Sequence, residues 1–320
     1  MDKIVFKMNS IPQVSIIMAT FNRAHFILES LKAVQNQTFV NWECIIIDDG
    51  CSDDTSEVIT TILNQDSRFK FQKRKDTYIK GLPGCRNYGL DLAKGDYIIF
   101  FDDDDIAHPQ NLEICVKELS NNDISFCRYI REVFTGDFNY DFDYSKDYTH
   151  FEISVRDIEK ILKNEILFNS CAVMWKKECF INHRFIEHLM YAEEWELYSR
   201  IISSGFKGIS INKPLFYGRK HPDSNTGQFY NKNAVRRKSN ADAISLVILN
   251  LKKENLLTNA ILRHFIQSSL EYKSFNLFNR ILNSLDLPIF DMMKWKLFYY
   301  QLPLRLFVYK IYKNKIKKIK

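Results

Sequence analysis

Four consecutive carboxylates, Asp102, Asp103, Asp104 and Asp105, follow a short apolar segment of the sequence. The segment, residues 97–101 (YIIFF), is β-branched and aromatic, which predicts a strand buried on both faces of an α/β sheet. Carboxylates this close repel one another, so folding alone gives little reason to place them at the end of a core strand. Their oxygens suit Mg²⁺ or Mn²⁺, ions that commonly also hold substrate phosphates. The run therefore predicts a metal-bridged diphosphate site, and a solvated acidic turn is the simpler alternative.

Two strand–loop–helix units earlier in the chain predict the sheet that positions this run. Residues 14–18 (VSIIM) and 43–47 (ECIII) are largely apolar, and each is followed by a polar loop and a helical pattern of apolar residues. Further strands are expected over residues 69–73, 123–130 and 169–175. Because open α/β sheets bind ligands at the carboxyl ends of their strands, three such units predict a parallel-sheet nucleotide-binding domain. The patterns GxGxxG and GxxxxGK[ST] are absent, so we expect a metal to hold the phosphates.

Charged side chains in three later segments could complete such a site. Arg86 lies in the first turn of a predicted helix, where the helix dipole opposes a cation, so its side chain either reaches solvent or, as we expect, faces an anion held nearby. Glu194, near the start of another helix, could act as a general base, although an acid that merely complements the helix dipole is the favoured interpretation of that stretch alone. Arg219 and Lys220 could hold a pyrophosphate. His221 could complete a metal shell or lie in solvent.

The composition is typical of a globular protein with one large domain or two smaller ones. The chain has 320 residues, of which 46% are hydrophobic and 26% are charged. Its seven cysteines form no CxxC pair and no regular framework, which favours reduced thiols in the cytoplasm. Residues 1–8 lack the apolar core of a signal peptide, and no segment reaches the roughly 18 apolar residues of a membrane span. We therefore expect a cytoplasmic protein, with peripheral binding at the inner face of the cell membrane left open.

Charge is distributed unevenly along the chain. Residues 230–320 carry 18 lysines and arginines against five aspartates and glutamates, a net charge of +13, whereas residues 1–229 carry −7. The contrast predicts a catalytic domain over residues 1–229 and a basic helical region over residues 230–320, with helices at 241–257 and 259–285. From Leu304 onward, a basic amphipathic pattern suits an anionic membrane surface or acceptor docking. A helix packed on the catalytic domain is the alternative, and no nucleic-acid partner is expected.

Together these segments resemble glycosyltransferase family 2, the inverting nucleotide-sugar enzymes with a GT-A fold. The stretches that carry the resemblance are VSIIMATFNR, ECIIIDDGCSDDT and GLPGCRNYGLDLAKGDYIIFFDDDD, and more weakly AEEWELYSR and YGRKHPDS. Its specific part spans residues 14–109, and residues after 229 contribute nothing to it. The resemblance implies an α/β fold with a Rossmann-like mixed sheet flanked by helices, to which the C-terminal helices are an extension.

The resemblance also implies roles for individual residues. The metal, Mn²⁺ or Mg²⁺, would be bound by Asp104 as the main ligand, with Asp102 and His221. Glu194 matches the position of the catalytic base, which is Asp in most of the family, and Glu193 remains the alternative. With Arg219 added from its own segment, the residues expected to bind the nucleotide sugar are Thr20, Phe21, Arg23, Asp49, Arg86, Asp102, Asp103 and Arg219.

The implied reaction is a single displacement that inverts the anomeric carbon of a transferred hexosyl unit. Glu194 would remove a proton from an acceptor hydroxyl, which attacks in line with the departing diphosphate. The expected donor is a UDP-sugar, and the expected acceptor is a glycan or lipid-linked oligosaccharide of bacterial surface-polysaccharide synthesis. A sugar-nucleotide pyrophosphorylase is an alternative, but ATFNRAH lacks the Gly-rich loop that it would need. A non-enzymatic polyanion- or membrane-binding protein is another, and it leaves the carboxylates without a purpose.

Overall fold

The strands of the protein form a mixed sheet, as the resemblance implies, and the parallel strands that the apolar segments predict make up one part of it. The computed structural model describes residues 11–317 except 122, 146, 222, 223, 273 and 286, and the side chains of residues 121, 310 and 312–317 are outside the description. The expectation that residues 1–8 form no signal peptide concerns residues that lie outside the description, as does part of the segment YGRKHPDS.

The strands within the described residues are β1 (Val14–Thr20), β2 (Trp42–Asp48), β3 (Phe69–Lys73), β4 (Tyr97–Asp102), β5 (Ile106–Ala107), β6 (Phe126–Phe134), β7 (His150–Ile153), β8 (Val173–Lys176) and β9 (Gly208–Arg219).

The strand order of the sheet is β3–β2–β1–β4–β8–β6–β9–β5, and β7 also pairs with β9. The first four strands of this order are mutually parallel. β8 is antiparallel to both β4 and β6, and β9 is parallel to β6. β6 and β9 consequently run in the same direction as β4. Six strands therefore have their carboxyl ends at one edge of the sheet, and β8 begins there.

Helices flank the sheet and continue the chain beyond it. Short 3₁₀ helices lie at Val155–Asp157, Ser170–Ala172 and Lys177–Phe180. The α-helices within the described residues are α1 (Ile27–Gln35), α2 (Thr55–Gln65), α3 (Leu82–Leu92), α4 (Asn111–Asn121), α5 (Ile158–Leu162), α6 (Glu193–Ser203), α7 (Asn225–Tyr230), α8 (Ala234–Lys253), α9 (Asn259–Glu271), α10 (Phe275–Asn283) and α11 (Ile289–Lys317).

The core forms where apolar strands meet the apolar faces of helices. The first five residues of β4 are buried, which confirms that this strand is covered on both faces. Gly89 lets α3 approach β1 closely, because a Cβ atom at this position would lie 2.4 Å from Cγ2 of Ile17. This close approach holds Arg86, one turn earlier on α3, beneath the carboxyl edge of the sheet.

Two expected elements differ from the sequence prediction. The single helix expected over residues 259–285 is instead α9 and α10, because Ser274 caps the second helix by accepting a hydrogen bond from the Leu277 amide at 3.2 Å. The strand expected over residues 169–175 starts late, since Ser170–Ala172 is a 3₁₀ helix and only Val173–Lys176 is strand. This change turns the Ser170 side chain toward the sheet edge.

The described chain divides into two compact units between Asn240 and Ala241. The first contains the whole sheet, and the second contains most of α8 together with α9, α10 and α11. The division at residue 229 expected from charge lies slightly earlier and stays a prediction about function. Within the described residues, no helix combines the length and the hydrophobicity that crossing a lipid bilayer requires.

Candidate active site

The parallel strands bring side chains from several segments to one edge of the sheet. The register places Asp102 of β4 beside Ala19 of β1, and Asp48 of β2 beside Thr20. The backbone amide of Asp49 donates to the Thr20 carbonyl at 3.0 Å, so the ends of β1 and β2 are tied together. This is the edge at which open α/β sheets bind ligands. The side chains that reach it include Thr20, Asp49, Arg74, Asp102, Ser170 and Arg219.

The acidic run after β4 lies largely inside the protein. Asp103, Asp104 and Asp105 are 7%, 9% and 3% exposed. Nε2 of His221 lies 2.9 Å from Oδ2 of Asp104. Nε of Arg23 lies 3.6 Å from Oδ1 of Asp103 and 3.9 Å from Oδ2 of Asp104. The structure thus brings together Arg23, Asp103, Asp104 and His221, as the sequence predicts, and this burial overturns the alternative of a solvated acidic turn.

Asp103 occupies an environment that disfavours a charged carboxylate. Burial and then the charge of Asp104 raise the pKa of Asp103 to about 8, while Thr20 and Arg23 favour the ionised form. Its Oδ2 atom is buried and, among the described residues, accepts no well-formed hydrogen bond. A buried acceptor without a donor, next to a second carboxylate, is an arrangement that a bound cation would satisfy.

Asp105 belongs to the supporting structure. Its Oδ2 accepts a hydrogen bond from Nη2 of Arg131 at 2.9 Å, and its Oδ1 accepts one from the Arg219 amide at 2.7 Å. Burial raises the pKa of Asp105 to about 7, although the charge of Arg131 acts in the opposite direction. These bonds join the end of β4 to β6 and β9. Asp105 therefore fixes the position of the residues before it.

Arg86 links the acidic run to α6 and to the start of β8. Its guanidinium is 2% exposed, and Nη2 donates to Oδ1 of Asp102 at 3.1 Å and to Oγ of Ser170 at 3.0 Å. Nη1 donates to Oε1 of Glu193 at 3.4 Å. The expected anion beside Arg86 is therefore supplied, in this structure, by Asp102, and the Glu193 carboxyl group adds a hydrogen-bond acceptor. Because a buried charge is costly once it loses a partner, these hydrogen bonds hold Asp102 and the start of α6 in fixed positions relative to each other.

The two glutamates at the start of α6 lie in different environments. Glu193 is 4% exposed and faces Arg86, whereas Glu194 is half-buried. Burial and then the charge of Glu194 raise the pKa of Glu193 to about 8, against the effect of Arg86. Ala192, just before them, has a φ of 62°, a conformation that costs free energy and that often occurs at functional sites. Glu194 is therefore the more accessible of the two candidate bases.

An exposed aromatic ring and an anchored carboxylate lie after β1 and β2. Phe21 is 45% exposed, and Nζ of Lys80 lies 4.7 Å from the centroid of its ring. Oδ1 of Asp49 accepts a hydrogen bond from Nε of Arg74 at 2.6 Å. Gly50 has a φ of +93°, so the chain turns immediately after Asp49 in a conformation that favours glycine. The ring can stack on a nucleobase, and the carboxylate can accept hydrogen bonds from one.

Arg219 is engaged with the protein in this structure. Its Nε donates to the Asp104 carbonyl at 3.0 Å, and other guanidinium nitrogens donate to Glu29 and to the Gly136 carbonyl. Its side chain is 7% exposed and lies between the rings of Phe26 and Phe134. Its expected role in nucleotide binding stays a prediction, and its observed contacts fix the loop that carries His221.

Sequence reasoning missed three polar side chains of this edge. Arg74 directly follows a correctly predicted strand, so the rule that sites lie after strands could have found it. Arg131 directly follows the strand predicted over residues 123–130, so the same rule could have found it, although β6 continues to Phe134. Ser170 was hidden inside the strand expected over residues 169–175.

The residues present fit a divalent metal ion. Asp104 and His221 are in contact, and they offer the oxygen and nitrogen ligands that Mn²⁺ accepts. Ligand atoms of Asp102, Asp105 and Cys171 also lie within 4.8 Å of one another among the described residues. That group is less suitable, since burial raises the pKa of the Cys171 thiol well above its usual value and Asp105 is engaged with Arg131.

A sequence model described as Glycosyl transferase family 2 matches residues 15–180, just over half of the chain. The chain belongs to glycosyltransferase family 2. This confirms the resemblance inferred from the sequence. The match includes the acidic run, Arg86 and Ser170, and it ends before the two glutamates of α6 and before Arg219 and His221.

Three curated relatives are similar to parts of this family 2 chain. The Campylobacter jejuni GalNAc(5)-diNAcBac-PP-undecaprenol beta-1,3-glucosyltransferase is 40% identical over 94 residues, which cover 29% of this chain and 30% of that protein. The Escherichia coli UDP-Glc:alpha-D-GlcNAc-diphosphoundecaprenol beta-1,3-glucosyltransferase WfgD is 40% identical over 113 residues, or 35% and 43% of the two chains. Glycosyltransferase GlyG of Streptococcus pneumoniae is 25% identical over 227 residues, or 66% and 72%. This chain therefore spans less than half of the length of the two glucosyltransferases.

Solved structures confirm the fold of the family 2 chain. S. aureus TarS 1-349 in complex with UDP-GlcNAc has a TM-score of 0.66 at 18% identity, covering 85% of this chain and 79% of that one. Mannosyltransferase PcManGT from Pyrobaculum calidifontis, in complex with GDP-Man and Mn²⁺, has a TM-score of 0.55 at 15% identity, covering 93% and 84%. The mixed sheet flanked by helices is thus the GT-A arrangement, with C-terminal helices present.

Proposed function

We propose that this chain is a metal-dependent, inverting glycosyltransferase that moves a hexosyl unit from a nucleotide-diphosphate donor to an acceptor hydroxyl. The observation that carries the proposal is the buried pair of Asp103 and Asp104, flanked by Arg23 and His221 at the carboxyl edge of the sheet. Membership in family 2 supports transfer to an acceptor over the pyrophosphorylase and the non-enzymatic alternatives.

The donor is proposed to be a UDP-sugar. Phe21 would stack on the uracil, and Asp49, held by Arg74, would accept its hydrogen bonds. TarS binds UDP-GlcNAc and PcManGT binds GDP-Man with Mn²⁺, which supports a nucleotide-sugar donor without selecting the sugar. Asp104 and His221, with Asp102 close by, would hold Mn²⁺ or Mg²⁺, an ion that offsets the charge of the departing diphosphate.

Glu194 is proposed as the general base. Its carboxylate would take the proton of the acceptor hydroxyl while the oxygen forms a bond to the anomeric carbon and the bond to the diphosphate breaks. Glu193 is less suited, since its carboxyl group is buried and faces Arg86. Because attack and departure occur on opposite faces of the sugar, one displacement inverts the anomeric centre.

A lipid-linked oligosaccharide is the proposed acceptor. The Campylobacter jejuni and Escherichia coli relatives are both named for acceptors carried on undecaprenol through a diphosphate. An acceptor of this kind stays at the membrane, so the proposed site of action is the inner face of a bacterial cell membrane during surface-polysaccharide synthesis. The transferred sugar and the linkage depend on residues outside the well-matched segments.

Calorimetry with UDP and Mn²⁺ tests the donor site directly. We expect UDP to bind wild type in the presence of Mn²⁺ or Mg²⁺ and to bind Asp104→Asn at least about tenfold more weakly, since the metal carries the phosphate interaction. Asp123→Asn is the matched control, because Asp123 has a 99% exposed side chain. Equal metal-dependent binding by Asp104→Asn and the control would refute the proposed metal site. A panel of UDP-sugars, scored by hydrolysis without acceptor, would then identify the donor.

A further inference from the structure

α11 presents a continuous stripe of large apolar side chains to solvent. Each member is between 44% and 81% exposed, which is unusual for so many apolar residues on a single helix. Contiguous exposed apolar surface of this kind marks an interaction site more often than scattered single residues do. The members of the stripe, called the α11 stripe below, are Ile289, Phe290, Met293, Leu297, Tyr300, Leu304, Phe307, Val308 and Ile311.

The α11 stripe is separate from the face by which α11 packs within its own unit. Apart from the adjacent pairs Ile289/Phe290 and Phe307/Val308, its members recur every three or four residues, so they share one side of the α-helix, within about 100° of one another around its axis. Trp295, Tyr299 and Leu302 lie on the other side and are 9%, 8% and 5% exposed. The ring of Tyr299 stacks on that of Phe278 of α10, with 4.1 Å between centroids. The helix is therefore already anchored, and the stripe is a second apolar face.

Cations border the α11 stripe on both sides. At 3.6 residues per turn, Lys294 and Arg305 lie along one border and Lys296 lies along the other, and all three are exposed. Asp291 is the single acidic residue in the sequence of α11, and it is half-buried on the packed side. An apolar stripe between rows of cations, with aromatic rings among its members, is typical of a helix that lies in the headgroup region of an anionic bilayer.

A second copy of the chain is a poorer occupant of this face. Two α11 helices paired through their stripes would bring the bordering Lys and Arg residues of both copies together, where paired helices commonly place opposite charges. Anionic lipid headgroups would instead neutralise the same cations. Charge complementarity thus selects the lipid surface.

We propose that the α11 stripe docks on an anionic membrane surface, with its apolar side chains at the boundary of the acyl chains and its bordering cations among the headgroups. The stripe begins at Ile289, well before the Leu304 start that the sequence pattern indicates. This inference goes beyond the proposed function, because docking requires neither the nucleotide nor the metal.

Vesicle co-sedimentation of the full chain tests the docking. The probes are vesicles of phosphatidylglycerol and phosphatidylcholine in equal parts, and vesicles of phosphatidylcholine alone, without nucleotide or metal. We expect binding to the anionic vesicles and at least about tenfold weaker binding of Leu304→Glu, because the leucine leaves the bilayer and a carboxylate is added next to anionic headgroups. Tyr309→Glu is the matched control, since Tyr309 is an exposed apolar residue of α11 outside the stripe.

The bordering cations give a second, independent measurement. Replacing Lys294, Lys296 and Arg305 by glutamine should weaken binding to anionic vesicles about tenfold or more and leave binding to neutral vesicles unchanged. Equal binding by Leu304→Glu and Tyr309→Glu would overturn the proposal, as would equal binding of wild type to both kinds of vesicle. A dimer in analytical ultracentrifugation that Leu304→Glu dissociates would also overturn it, in favour of a second copy. Failure of UDP binding would affect only the proposed function.

Discussion

Two carboxyl groups next to each other in the sequence can differ greatly once the chain folds. Glu193 faces Arg86 in a buried position, while Glu194, one residue later on α6, remains half-buried. Asp104 contacts His221, while Asp105 is held by Arg131 and by the Arg219 amide. The direction of each side chain decides whether its carboxyl group is available for chemistry or holds the site together. Spacing in the sequence does not specify that direction.

At the residue scale, the two glutamates of α6 should respond differently to amide substitution. Glu194→Gln should lower the rate of sugar transfer by about 10²–10⁴, the usual contribution of a general base. Glu193→Gln should lower it by less than about tenfold, because a neutral amide can replace a carboxyl whose pKa is raised to about 8 by burial. Initial rates at saturating donor, with donor affinity as the control, measure this. The opposite ranking would move the base to Glu193.

Glu193 should also make the stability of the fold depend on pH. The pKa of Glu193 is raised in the folded state, so the native chain keeps a proton that the unfolded chain has lost above its usual value of 4.5. Its stabilising contribution is complete below that value and is lost as the pH rises towards about 8. Between pH 5 and 9, the free energy of unfolding measured with urea should therefore fall with pH in wild type. It should fall less in Glu193→Gln, by on the order of a few kcal/mol. Parallel curves for variant and wild type would contradict this.

At the scale of elements, the close approach of α3 and β1 positions Arg86 under the acidic run. A methyl group on Gly89 would meet Cγ2 of Ile17 at 2.4 Å, a separation that packed carbon atoms do not adopt. The glycine is thus required by the contact between helix and strand, although the interior of a helix ordinarily disfavours it. Movement of α3 away from β1 would also displace the Arg86 guanidinium from Asp102 and Ser170.

Substituting Gly89 tests this contact. Gly89→Ala should lower the free energy of unfolding by about 1–3 kcal/mol through overpacking, despite the better helix propensity of alanine. Ile17→Ala alone should cost about 2–5 kcal/mol, since it leaves a cavity in the core. The loss of unfolding free energy in the double variant should be about 0.5–3 kcal/mol smaller than the sum of the two single-variant losses, because the new methyl group occupies part of that cavity. Strict additivity in urea denaturation would show that the two positions do not interact.

At the scale of the whole molecule, the seven cysteines report on how completely the chain is folded. None of them is paired in a disulfide, and six are buried, while Cys51 is partly exposed. Burial raises the pKa of Cys51 to about 11, so little of its reactive thiolate exists at neutral pH. The fold thus protects thiols that could otherwise oxidise.

Titration with a thiol-reactive chromophore should separate these groups. The native chain should show one slowly reacting thiol at neutral pH, and the denatured chain should show all seven. The Cys51→Ser variant is the control, and in its native state it should show none on the same timescale. Rapid reaction of several thiols in the native wild type would contradict the burial described above.

Much of the sheet could be predicted because its strands are locally apolar and end in polar turns. The positions of β1, β2, β3 and β4 follow from short runs of β-branched and aromatic residues. Helix boundaries in the C-terminal region were harder to predict from the sequence, since the Ser274 cap divides the helix predicted over residues 259–285 into α9 and α10. The sequence thus predicts strands and helices well where their burial requires a regular pattern of apolar residues.

The sequence by itself determined the family, the parallel strands and the acidic run at their carboxyl edge, because these depend on contiguous residues. Only the tertiary structure decided which arginine pairs with which carboxylate or carbonyl. Arg86, Arg131 and Arg219 are far apart in the chain, and their pairing with carboxylates and carbonyls depends on which strands become neighbours. Likewise, the sequence pattern predicted a basic amphipathic helix only from Leu304 onward, and packing within the unit decided which apolar residues of α11 are covered and which form the exposed stripe.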